Sequence, residues 1–167
     1  ARFPGLNVTF EVREGIVKHS RDYAPGERRE VEPYLPGLRP PLEAQLIDLA
    51  DEIAYNTADL DDAFSAGMLT AEEIAADVPQ YRPIFEAVET QFPGATDRER
   101  FYESLRQLVN SLVSGLIEGT VNRAREAGVN TCDDVRATAA RIAAFRVDTA
   151  ETSRVLKRFL SAKVYTS

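Results

Sequence analysis

The 167 residues hold one cysteine and one histidine. Cys132 alone excludes an internal disulfide framework and a cysteine-built zinc cluster, and it suits a reducing compartment. His19 alone excludes any site that takes two imidazoles from this chain. No apolar run approaches the ~20 residues needed to span a bilayer. No charged segment followed by an apolar stretch opens the chain as a secretory signal would, so the expectation is a cytoplasmic protein with no membrane partner. Glycine-rich phosphate loops, nucleophile elbows and paired-cysteine motifs are absent as well. Cations are the scarcer charge: 20 Lys and Arg stand against 27 Asp and Glu, for a net charge of −7. No overall basic field exists to attract nucleic acid, which argues against duplex binding. Between Arg39 and Arg82 there are ten carboxylates and no Lys, Arg or His. That block must find cations elsewhere in the fold or stay solvated.

What is present is ordinary globular composition, 44% hydrophobic and 28% charged. The length suffices for one compact domain burying roughly 70% of its unfolded surface, and residues 1–167 read as a single helical region. Leu6, Phe10, Ile16 and Val17 form a helical stripe in a first short helix, with Asn7 available as N-cap. Residues 21–41 then collect prolines, glycines and arginines in a long loop. Helix resumes after Pro41 and runs toward Gly67, a residue suited to the left-handed position after a helix end. At about 100° per residue, Leu46, Leu49, Ala50, Ile53, Thr57, Leu60 and Phe64 share one sector. Asp48, Asp51, Glu52, Tyr55, Asp59 and Asp62 fill roughly the opposite one. Thr70 with Glu73 and Thr96 with Glu99 are capping boxes, the second opening the longest helix, which ends near Gly128. Thr131 with Asp134 predicts a further helix carrying Val135, Ile142 and Phe145 inward. Asp148 with Glu151 predicts the last, carrying Val155, Leu156, Phe159 and Leu160. No strand pattern survives, so the predicted fold class is all-α, a helical bundle.

The long helix after Pro41 is the segment that local physics explains least. Like charges at i,i+3 and i,i+4, such as Asp59 with Asp62 and Asp48 with Glu52, each cost about 0.2–0.5 kcal/mol. One reading is a solvated acidic face. The other is a metal or substrate site, because Asp51, Tyr55 and Asp59 follow each other at i,i+4 and stack two carboxylates and a phenol on one ridge. A carboxylate can hold a hard divalent cation, a tyrosine can stack or hydrogen-bond, and a second carboxylate can accept from a hydroxyl. Elsewhere, His19 reads as a solvated helix-end residue, Cys132 as a structural thiol with a slightly lowered pKa at a helix start, and Arg28, Arg29 and Arg39 as either phosphate contacts or solubilising loop charges.

The stretch EAQLIDLADEIAYNTADLDDAFSAGMLT, from Glu43 to Thr70, closely resembles a signature of the deoxyguanosinetriphosphate triphosphohydrolase family, within the HD-domain metal phosphohydrolases. FPGLNVTFEVREGIVKHS from Phe3 to Ser20 and DDVRATAARIAAFRVDTAETSRVLKRFLSAKVY from Asp133 to Tyr165 resemble it too. The resemblance implies a helical hydrolase that releases intact triphosphate from a deoxynucleoside triphosphate, with a divalent metal (Mg or Mn) held by a histidine, a His-Asp pair and a later aspartate. Asp51 matches that later aspartate. Tyr55 and Asp59 match the residues that contact the deoxyribose around its 3′-hydroxyl. Ala58 departs from the histidine that many relatives carry, and no His-Asp dipeptide occurs in these residues. The resemblance therefore implies the C-terminal portion of a longer, homo-oligomeric enzyme, inactive by itself. The alternative is a non-catalytic regulatory or assembly module whose acidic helix binds a basic partner.

Overall fold

The computed structural model describes residues 5–165; Phe3 and Pro4, which open one family-like stretch, lie outside them. Among the described residues there are seven α-helices, one 3₁₀ helix and no strand, so the fold is all-α. The chain divides into two compact units, one made of residues up to Leu49 with Thr120–Ala144, the other of Ala50–Gly119 with Phe145 onward. Helices α2 (Leu42–Ser65) and α5 (Asp97–Ala127) each supply residues to both.

In the first unit, α1 (Phe10–Lys18) starts two residues later than an Asn7 cap predicts, because the Thr9 hydroxyl accepts from the Val12 amide at 3.4 Å. The apolar stripe is not what α1 buries. Leu6 and Ile16 are exposed, whereas Glu14 and Lys18 have no exposed surface. Charge pairing explains the inversion. Lys18 Nζ donates to Glu14 Oε1 at 2.9 Å and to the carbonyls of Leu35 at 3.1 Å and Arg39 at 3.5 Å. Arg136 donates to Glu14 Oε2 through Nε at 3.2 Å and Nη2 at 2.8 Å, and to Asp133 at 2.9 Å. A buried charge is tolerable when each of its lone pairs and protons finds a partner. The proline-rich loop contains the 3₁₀ helix Arg29–Tyr34, closed by Leu35 in the left-handed region (φ 53°). Arg39 is a strut, donating to Asp22 at 2.5 Å and to the carbonyls of Thr138 at 3.3 Å and Ala139; Arg28 and Arg29 remain exposed.

Helix α6 (Cys132–Ala137) opens on the predicted Thr131/Asp134 capping box but ends well before Ile142. At Thr138 the backbone turns extended (ψ 146°), and its hydroxyl donates toward the carbonyls of Val135 and Ala140, each at 2.8 Å. Ile142 is buried nonetheless, since Gln45 Oε1 accepts from the amides of Ile142 at 2.7 Å and Ala143 at 3.2 Å. A side-chain amide replaces the missing helical bonds, which periodicity does not foresee.

The second unit packs the rest of α2 and α5 with α3 (Ala71–Asp77), α4 (Arg82–Gln91) and α7 (Val147–Lys163). The Thr70/Glu73 and Thr96/Glu99 boxes form as predicted. Leu60, Ile74, Tyr81, Phe101, Leu108 and Leu156 are among its most deeply buried large side chains. Phe64 stacks on Phe101 with ring centroids 3.7 Å apart. Asp148 is not the cap of α7 but lies in its first turn, gripped by Arg146 through Nε at 2.6 Å and Nη2 at 2.8 Å. That guanidinium holds the Asp148 carboxyl down to about 2. No helix among the described residues is long and apolar enough to cross a membrane.

Candidate functional site

Asp51, Tyr55 and Asp59 all lie on α2 within the second unit, at the i,i+4 steps that align side chains along one ridge. The ridge stands at the surface: Asp51 and Tyr55 are exposed and Asp59 is half-buried. It rises beside a buried seam of Ile53, Asn56, Thr57 and Leu60, so packing of the opposite face fixes its orientation. Thr57 satisfies its own buried hydroxyl by donating to the Ile53 carbonyl at 2.8 Å.

The acidic block finds partners from elements distant in sequence. The Ser153 hydroxyl donates to Glu52 Oε1 at 2.5 Å, and Lys157 Nζ lies 3.7 Å from Glu52 Oε2. Tyr102 donates to Asp61 at 3.0 Å. Lys163 pairs with Asp77 at 3.5 Å. In the first unit, His19 Nε2 lies 4.0 Å from Asp48, with Nδ1 2.9 Å from the Ile16 carbonyl. The Asp51 carboxylate meets no hydrogen-bond or ion-pair partner among the described residues.

Tyr165 is the residue that sequence reasoning missed. Its hydroxyl donates to Asp59 Oδ2, and its ring tilts against Tyr55 with centroids 6.3 Å apart. Desolvation and the neighbouring Asp59 and Tyr55 push its phenol well above the ordinary tyrosine value, so it is a donor throughout the physiological range. The last family-like stretch ends at Tyr165, but only a fold can show that this ring returns to Asp59 across 106 positions. Two carboxylates and two phenols then line one strip of surface. Such a strip can accept from a hydroxylated ring at Asp59, pack its face on a tyrosine, and present a carboxylate one turn away.

Cys132 corrects an expectation. It is exposed, yet burial of the sulfur followed by the carboxylates of Glu43, Glu14 and Asp133 pushes the thiol up, against the pull of Arg136. Burial of the sulfur is the larger cause.

No family model matches the chain. A deoxyguanosinetriphosphate triphosphohydrolase-like protein of Geobacter sulfurreducens is 39% identical over 165 residues, covering 98% of this chain and 42% of the relative. Proteins of the same description from Ralstonia nicotianae (42% identical over 164 residues, 98% of this chain, 42% of the relative) and Azoarcus sp. (40% over 166 residues, 99% and 43%) agree. Over the stretch it covers, the chain belongs to the deoxyguanosinetriphosphate triphosphohydrolase-like family. It spans less than half the length of the curated family members that it matches. Asp51, Tyr55 and Asp59 fall within the matched length.

Proposed function

We propose that the α2 ridge recognises the deoxyribose of a deoxynucleoside triphosphate and lends one carboxylate, Asp51, to a divalent metal (Mg or Mn), as part of an enzyme that releases intact triphosphate. The observation that carries this reading is the pairing of an unpartnered Asp51 with a Tyr55–Asp59–Tyr165 cluster one turn further along the same helix. Family membership supports it through the relatives' names.

The fit to a metal is partial. Asp51 offers the hard oxygen that magnesium or manganese prefers. Among the described residues no group of three His, Cys, Asp or Glu side chains stands close enough to enclose an ion. The chain thus supplies one corner of a coordination shell. A bound ion would contribute charge neutralisation at the phosphates and activation of water. The remaining work belongs to this chain's side chains. Asp59 accepts from a sugar hydroxyl, and Tyr55 and Tyr165 pack against the ring. Because Tyr165 donates to the Asp59 oxygen that would receive the sugar, it either releases that oxygen on binding or keeps the carboxylate aimed by holding its neighbour.

Exposure of Asp51 and Tyr55 favours a second reading, a non-catalytic module whose acidic ridge docks a basic partner. Nuclear magnetic resonance on the 167-residue chain separates the two. Under the enzyme reading, Mn²⁺ broadens amide resonances around residue 51 and the effect vanishes in Asp51→Ala, while deoxyguanosine shifts residues 55–59 and loses affinity in Asp59→Asn. Mn²⁺ broadening spread evenly over all carboxylates, with no response to deoxyguanosine, favours the docking module. The isolated chain is expected to release no triphosphate, and measurable release would overturn the incomplete-shell argument. Self-association is a further part of the proposal, since Val113 and Ile117 form an exposed apolar i,i+4 pair on α5.

A further inference from the structure

An apolar groove of about 430 Å³ opens on the first unit, lined by Val12, Gly15 and Ile16 of α1, Ala44 and Ile47 of α2, and Cys132 at the start of α6. Its walls are unusually bare for aliphatic side chains: Val12 is 47% exposed, Ile16 64% and Ile47 52%. Its floor is low because two small residues meet there. A Cβ added to Gly15 would sit 3.1 Å from Ala44 Cβ. The rim is acidic, with Glu11 and Glu43 among the lining residues and no lysine or arginine. Asp133, beside Cys132, has a side chain that is 92% exposed.

We propose that this groove is the docking site for an amphipathic, basic helical segment of a partner protein. Aliphatic residues at i,i+4 on one wall and i,i+3 on the other form the template that a helix fills with its own i, i+3, i+4 and i+7 anchors. Burying three half-bare aliphatic side chains supplies the apolar contact, and the carboxylates fix the sign of the partner's flanks. The same groove of a second copy is a poor occupant, because it would set acidic rim against acidic rim. The groove lies wholly in the first unit and shares no residue with the α2 ridge, so the inference is independent of the hydrolase reading.

The test titrates the isotope-labelled 167-residue chain with a helix-forming peptide carrying leucines at i, i+3, i+4 and i+7 between arginine flanks, and with its glutamate-flanked counterpart. Saturable amide shifts confined to α1, the first turns of α2 and α6 are expected with the arginine peptide. Ile16→Asp, at an exposed position whose melting temperature serves as the folding control, is expected to weaken binding at least about 10-fold. Combining Glu11→Lys with Glu43→Lys is expected to transfer preference to the glutamate peptide. The proposal is overturned by equal response to both peptides, by absence of saturation up to about 1 mM, or by shifts outside the groove. Groove shifts that grow with protein concentration alone would assign the occupant to a second copy and overturn it as well.

Discussion

Replacing Glu14 by alanine removes the centre of the first unit's charge network. The side chain has no exposed surface, and its two oxygens receive three donated hydrogen bonds, one from Lys18 and two from Arg136. Removing one partner of a buried ion pair costs about 3–5 kcal/mol, because the opposite charge is left desolvated and unpaired. Two cations are orphaned here, though unequally. Arg136 keeps Asp133 at 2.9 Å and its side chain is 10% exposed, while Lys18 is sealed and keeps only two carbonyl oxygens. The buried ammonium therefore sets the penalty, and Glu14→Ala is expected to lose about 4 kcal/mol, a large share of the roughly 5–15 kcal/mol that holds a typical protein folded. For a chain of this size that corresponds to a fall in Tm of about 8–16 °C. Urea and thermal unfolding followed by circular dichroism measure it. The reasoning also predicts that a triple variant, Glu14→Met with Lys18→Met and Arg136→Leu, recovers most of the loss, since apolar side chains of similar volume leave no charge behind. A Glu14→Ala loss under about 1 kcal/mol, or a triple variant less stable than the single one, would refute the account of α1 as a helix held by buried charge.

Three further outcomes test the second unit. Gly115 lets α5 and α7 approach so closely that an added Cβ would lie 2.0 Å from the Thr149 hydroxyl oxygen, so Gly115→Ala is expected to cost about 1–3 kcal/mol in urea unfolding. Thr149→Gly should recover part of that loss, and strict additivity of the two changes would sink the explanation. The Asp148 carboxyl, held at about 2 by Arg146 against an ordinary 3.8, contributes stability that is complete above its unfolded value and fades as pH falls toward 2. The Tm gap between wild type and Asp148→Asn should accordingly narrow on acidification below about pH 4, and a gap that widens would reverse the sign of the linkage. Burial pushes the Tyr81 phenol up to about 12, only partly offset by the nearby Ser104 hydroxyl, and the Tyr81 hydroxyl has no geometrically sound hydrogen bond among the described residues. Tyr81→Phe is expected to be neutral or stabilising by up to about 1 kcal/mol, with the lost absorbance step in alkaline titration lying above the ordinary tyrosine value.

The fold was legible in sequence wherever a local bond decides it. The Thr70, Thr96 and Thr131 boxes each form, and Gly67 and Gly128 take positive φ values of 69° and 65° after α2 and α5. Periodicity misled where a polar side chain overrides it. The α1 stripe through Leu6 and Ile16 is exposed because Glu14 and Lys18 bury themselves instead. Ile142 reaches the interior without a helix because Gln45 supplies the bonds. A pattern of apolar residues cannot report that a lysine will find a carboxylate one turn away and an arginine 122 positions later.

The ridge divides the same way. Spacing alone aligns Asp51, Tyr55 and Asp59, because a single helix sets all three. Spacing says nothing of Tyr165, or of Ser153 and Lys157, which hydrogen-bond and ion-pair with Glu52 from α7. Those long-range partners change what the acidic row means. Each repulsive pair on α2 costs only tenths of a kcal/mol, and partners from other elements relieve Glu52, Asp59 and Asp61. Among the described residues the carboxylates of Glu43, Asp51 and Asp62 meet no such partner, and Asp51 and Asp62 both share the helix face of Tyr55 and Asp59. The bare carboxylates thus stand on the face that carries the Tyr55–Asp59–Tyr165 cluster, and the proposed recognition of a sugar and a cation rests on that proximity.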